Sequence, residues 1–220
     1  MKKVIILWFV LSVLKVNAQS YLPINGVDGV YTKMVKVERK LEFEGEPYFK
    51  EDWAFAKVTL VNNKDYVTKQ ARINFLTKQL EFIEQGTVLE VPLKATKVVL
   101  FPEAGVDFET DQQGVLYQKI KAGENIIWKN VTVTMKDQYS YLAGKNVILL
   151  NPSNSYYFGQ DVQNLKRIKQ NKKDVINIYP PEKRKIAEEF IKKNQLNMAD
   201  EQDFLKVFQE LSVSENSDSI

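Results

Sequence analysis

The sequence predicts an α+β chain: an antiparallel β-meander curled into a sheet, sandwich or partial barrel, followed by short C-terminal helices packed on it. Three observations carry this. Apolar and polar residues alternate with period two, between short polar turns, from about Val30 to Phe158. After Gly159 the apolar residues fall at helical spacing instead. Hydrophobic content of 44% with 27% charged residues is that of an ordinary globular chain able to bury a core.

The strands follow in order. Ala54, Ala56, Val58 and Leu60 line one face of the first, and Asn62-Asn63-Lys64-Asp65 reads as the turn after it. Over residues 66–75, Val67, Ala71, Ile73 and Phe75 are expected on the buried face, with Tyr66, Thr68, Gln70, Arg72 and Asn74 on the other. Thr77-Lys78 and Gln85-Gly86 mark two further tight turns, and Ala122-Gly123 a later one. Short apolar runs fall at residues 88–91, 98–101 and 115–120. Beyond them Ile127, Val131, Val133 and Met135 are expected to face inward, and runs at 147–150 and 156–158 close the series. An open sheet with one apolar face must cover it, which is why a curl or a second layer is expected.

In the C-terminal part, residues 167–177 suggest a short helix. Pro180-Pro181-Glu182 opens a clear one, proline and acidic residues both suiting a first turn. Its expected apolar stripe is Ile186, Phe190 and Ile191, ended by Asn194-Gln195. A second helix over 199–211 carries Phe204, Leu205, Phe208 and Leu211, so the two read as a helix hairpin with Phe190, Phe204 and Phe208 buried.

Met1-Lys2-Lys3 precedes an apolar run over 4–14, then Lys15-Val16-Asn17-Ala18-Gln19. A positive start, a short apolar middle and small residues at the cut predict a cleavable export signal, cut between Ala18 and Gln19. A spanning helix would need about 20 apolar residues. The expected organisation is a signal at 1–18, a β-rich domain at 19–158, a helical segment at 159–212 packed on it, and a disordered tail at 213–220. The chain is then exported, to the periplasm, the cell surface or beyond, with no transmembrane span once the signal is removed.

The signal also carries the net charge. Of 31 Lys and Arg against 28 Asp and Glu, three lysines (Lys2, Lys3 and Lys15) leave with it, so the mature chain is neutral. Neutrality gives no electrostatic reason to expect nucleic acid. The absence of His and Cys removes triads, thiol nucleophiles, imidazole bases, disulfides and the usual nitrogen- or sulfur-ligated zinc site. Carboxylate, lysine, tyrosine or serine chemistry and oxygen-ligated cations remain.

Three groups of residues invite a functional reading. Asp107, Glu109 and Asp111 alternate as in a calcium loop, but glycine and glutamate are missing where such a loop needs them, at Gln112 and Gln118; a solvated loop is expected. Tyr48, Phe49, Trp53 and Phe55, like Tyr139, Tyr141, Tyr156 and Tyr157, read as core or sheet cover rather than as a stacking platform. Lys166, Arg167, Lys169, Lys172, Lys173 and Lys183-Arg184-Lys185 read as solvated helix faces, with anionic lipid or glycan as the competing partner. No catalytic, cofactor or metal residue is assigned.

Gly45-Glu-Pro-Tyr48 with Trp53, Asn74-Phe-Leu-Thr-Lys-Gln-Leu-Glu-Phe82, and Phe190-Ile-Lys-Lys-Asn194 with Asp203-Phe-Leu205 give the chain a resemblance to a group of small exported proteins common in Bacteroidota. Members begin with a signal ending near Ala-Gln, continue as a β-meander and end in a helix pair. The resemblance covers most of the mature chain and departs at Gln209-Glu-Leu211, where an aromatic-rich ending is usual. It implies a periplasmic or surface location and carries over no catalytic residue.

The function expected from all this is a non-enzymatic, exported envelope protein that binds a protein or glycan. Two alternatives stand beside it: a carboxylate-based glycan hydrolase, and a peripheral membrane protein using the basic helices. A hydrolase lacking His would need two partly buried, cleft-lining carboxylates with strongly perturbed pKa values. No such pair is expected; finding one among Glu81, Glu84, Glu90, Asp107 and Glu109 would favour the hydrolase.

Overall fold

The computed structural model describes residues 43–140 and 144–213. The expected signal, its Ala18–Gln19 cut and Tyr141 lie outside the described residues. The strands are β1 (Phe43–Glu44), β2 (Ala54–Leu60), β3 (Asp65–Asn74), β4 (Gln79–Glu84), β5 (Thr87–Pro92) and β6 (Thr96–Phe101). They continue as β7 (Val106–Thr110), β8 (Leu116–Ala122), β9 (Asn125–Ser140), β10 (Lys145–Phe158) and β11 (Lys166–Ile168). Helices α1 (Lys172–Ile176), α2 (Pro181–Lys193) and α3 (Glu201–Glu210) follow.

All the strands belong to one sheet of order β1-β10-β9-β8-β7-β6-β2-β3-β4-β5, with β11 also on β10. It is two antiparallel meanders, β2–β5 and β6–β10, joined where β6 returns to pair with β2. Among the described strands only β1 runs parallel to its neighbour, pairing Phe43 with Ile148. The tight turns fall as expected: Gln85 (φ 48°) and Gly86 (φ 78°) are both left-handed, the mirror-image turn that matches strand twist.

The sheet curls but does not close. Three strand steps separate β3 from β7, about 14 Å on a flat sheet. Yet the ring of Phe75, just past β3, lies 6.3 Å from that of Phe108 on β7. Phe49 sits beside them, 5.0 Å from Phe108 and 5.6 Å from Phe101. The curl lets Val58, Ile73, Leu80, Val91 and Val99 share one core.

One residue in β3 reverses part of the predicted pattern. Ala54 pairs with Ala71 but Ala56 with Thr68, so β3 carries one extra residue between them and its alternation flips. Thr68, at 4% exposure, therefore points inward where Val67 was expected. Met135 is a second correction: it is 59% exposed, because the β9–β10 hairpin runs on past the core as an arm. The runs at 147–150 and 156–158 are one strand, β10. Pro152 is tolerated between them because, among the described residues, β10 has no outer partner there, β1 pairing at 148–149 and β11 at 156–158.

The other end of the sheet is covered by helices. Phe204, Val207 and Phe208 of α3 are fully buried against Ala122, Ile127 and Tyr156. Tyr179 stacks on Phe208 at 6.0 Å and donates its hydroxyl to the Val207 and Leu211 carbonyls. Gly123 lets α3 approach: a Cβ there would meet the Gln209 carbonyl. The α2 stripe is shifted from the expected one. Ala187 and Ile191 are its buried residues, Ile186 is 55% exposed and Phe190 only partly buried. Small Ala187 is what lets α2 come close, and size alone hid it in the sequence. The helix expected at 167–177 is also corrected: β11 takes its first part, and the helix starts after Asn171, whose side chain accepts from the Asp174 amide. At the other end, the disordered tail expected from residue 213 begins too early. The Val213 amide donates to Asn125 and Val213 packs on the helical core; residues beyond it lie outside the described ones.

Candidate functional site

Residues 43–49 form a strap from the outer edge of β10 to β3. Gly45 lies so close to β10 that a Cβ would stand 2.9 Å from the Leu150 carbonyl. The Phe49 amide donates to Ile73 and the Phe75 amide to Pro47, at 3.0 and 2.8 Å. Under the strap is a chamber of about 320 Å³, lined by Phe43, Tyr48, Asn74, Glu81, Glu90 and Leu150 among others.

Glu81 and Glu90 are direct cross-strand partners on β4 and β5. The strap brings together two carboxylates that the sequence left apart: both line one chamber, and Glu81 is 3% exposed. Their environments differ. Glu81 accepts from Arg72 Nε at 2.8 Å and from Asn74 Nδ2 at 2.8 Å, so both its oxygens are engaged. The Arg72 guanidinium lies between the rings of Tyr48, at 3.7 Å, and Trp53, at 4.2 Å. Glu90 has no cation in this set. Burial first, then the Glu81 charge, raises its pKa above the ordinary value, against a lowering hydrogen bond from Gln79. Polar-faced strands gave no sign of this pocket. The strap buries the polar face of β3 and β4, and only the fold shows where the strap goes.

Glu84 lies apart, in a groove beside Val67 and Gln70. Burial raises its pKa, and its Oε2 is buried with no protein partner. Asp107 and Glu109 sit on β7, not in a loop, and Glu109 pairs with Lys119 at 2.8 Å. Asp111 shapes the turn after β7 by accepting from the Gln113 and Val115 amides. Among the described residues no group of three or more His, Cys, Asp or Glu is placed to hold a metal.

Adjacent to the first chamber, across residues 74–78, lies a larger one of about 820 Å³. Its walls are the β9 arm (residues 130–134), the β7–β8 turn, and the end of β5 with the residues after it. Val131 and Val133 turn their side chains toward the curled core, and Phe75, Leu93 and Leu116 complete the apolar surface. Asn130, fixed by donating to the Leu116 carbonyl at 2.9 Å, adds a polar edge with Thr132 and Thr134.

The aromatic groups behave mostly as cover. Tyr48 is 8% exposed and Tyr156 2%, whereas Tyr139 on the arm is 50% exposed. The basic stretch is partly neutralised, Lys172 pairing with Glu188 at 2.9 Å and Lys185 with Glu189 at 4.0 Å. No helix among the described residues is long and apolar enough to cross a membrane. Compared with protein-family models, with curated proteins and with solved structures, the chain matches none.

Proposed function

We propose that this chain is an exported, non-enzymatic envelope protein that holds a ligand in the larger chamber between the β9 arm and the curled sheet. The observation that carries the reading is the chamber itself. It is large, apolar on its floor and edged by a few polar groups, the ordinary make-up of a ligand site. Export rests on the residues before Gln19, and intact-mass analysis of the native protein should find Gln19 as its first residue. A species retaining Met1–Ala18 would contradict it.

Binding is tested by incubating the mature chain with envelope extract, desalting it and recording native mass spectra. A discrete adduct is expected on the wild type. It should vanish in Val131→Trp and in Val133→Trp, two fillings of the chamber from the same strand face, checked for unchanged melting. No wild-type adduct, or one that survives both fillings, would contradict the reading.

The Glu81–Glu90 pair favours a second reading, a carboxylate hydrolase acting on glycan. Glu90, raised in pKa, has the character of a general acid, with Glu81 oriented by Arg72 and Asn74. Against it, Glu81 presents almost no surface to a substrate, its side chain being 4% exposed. Release of reducing ends from envelope glycans that disappears in Glu90→Gln would put the hydrolase first.

A further inference from the structure

We propose that the larger chamber takes an anionic amphiphile: an acyl-type chain on its apolar floor, with a carboxylate or phosphate head group between Lys78 and Lys94. This rests on the chamber being the binding site. Among the described residues, Lys78 and Lys94 are its only formally charged lining residues, and both are positive. Neither makes an ion pair among the described residues, whereas Arg72, Lys119, Lys129 and Lys172 each do.

The backbone brings the two lysines together. Lys78 sits in the β3–β4 turn with left-handed φ of 56°, and its carbonyl accepts from the Leu93 amide at 3.0 Å. That bond sets Lys94 beside it. The β7–β8 turn then closes on the Lys94 stem: a Cβ on Gly114 would stand 2.5 Å from Lys94 Cβ. Both lysines are exposed, so an anion can reach them, and one seated between them meets two positive charges at once.

The floor decides the rest of the ligand. Its accessible part is aliphatic, half-buried Val131 and Val133 above the more buried Leu93 and Leu116, and its one ring, Phe75, is 8% exposed. A sugar would want an aromatic face to stack on. A hydrocarbon chain wants what is there.

The test is a titration of the mature chain with a fluorescent polyene fatty acid, displaced in turn by palmitate, palmitoyl lysophosphatidic acid and methyl palmitate. Both anions should displace the probe, and the neutral ester about 10-fold less well. Whichever anion competes better identifies the head group. Lys78→Gln with Lys94→Gln, both at turns, should weaken the anions by about 10-fold and leave the ester unchanged. Equal displacement by palmitate and its ester, or no effect of the lysine changes, would overturn the anionic head group. No probe binding by a chain with its normal melting curve would overturn the amphiphile. If the envelope adduct persisted in that case, the ligand class would fall and the chamber reading would stand.

Discussion

The two ends of this one sheet solve the same problem differently. Strands β2–β7 bury their apolar face by curling until Phe75, Phe101 and Phe108 meet. Strands β8–β10 stay open enough to need a lid, supplied by α3 and Tyr179 on one side and by Val162 over Trp128 on the other. A curl leaves a mouth, and here the β9 arm lies along it. A helical lid leaves none. The candidate chambers therefore belong to the curled end, where the fold has an opening to offer.

That contrast can be broken at the lid. Phe208 is fully buried among Phe158, Tyr179 and Phe204. Phe208→Ala should cost about 3–5 kcal/mol. Hydrogen exchange should speed up in α2, α3 and the base of β9 more than in β3 and β4. Equal loosening of β3 and β4 would mean that the two ends unfold as one and are not separate solutions.

Under the strap, Glu81→Gln keeps the shape but leaves Arg72 facing a neutral amide. A loss of about 1–3 kcal/mol is expected in denaturant titration. No loss would mean that the Tyr48 and Trp53 rings alone hold the guanidinium. Asn125 plays the corresponding part at the lid, donating to the Phe208 and Leu211 carbonyls and accepting from Val213. Asn125→Ala should cost about 1–3 kcal/mol, and proteolysis near residue 213 should rise with it. Phe190, only partly buried, sharpens the picture of the lid: Phe190→Ala should cost about 1 kcal/mol, well short of Phe208→Ala. Equal costs would restore the stripe first expected for α2.

The smallest effect concerns Glu90. Its folded pKa is raised from 4.5, so the fold favours the protonated carboxyl. The stabilising contribution is complete below 4.5 and is lost as pH rises through the folded pKa. Glu90→Gln should therefore stabilise slightly at pH 7 and give no gain at pH 3. A gain at both pH values would assign the effect to packing.

Much of the architecture was legible because local chemistry and the fold agree. Asn62-Asn63, Thr77-Lys78 and Gln85-Gly86 announce their turns, and Pro181 announces α2. The strand pattern failed where a non-local fact intervenes: the bulge that turns Thr68 inward, and the arm that carries Met135 past the core. Along α2, Ala187 was hidden by its size and Phe190 promoted by its own. The chambers could not be read at all. Glu81 and Glu90 meet only because β4 and β5 pair in that register beneath a strap, and Lys78 comes beside Leu93, the residue before Lys94, only through one hydrogen bond.

The central claim is that the mouth of the curl, not the lid, is where this protein meets its ligand. Hydrogen exchange of the mature chain with and without envelope extract tests it most directly. The account predicts slowed exchange at residues 92–94, 113–116 and 130–134, with α2 and α3 unchanged. Protection confined to α2 and α3, or none anywhere, would contradict it.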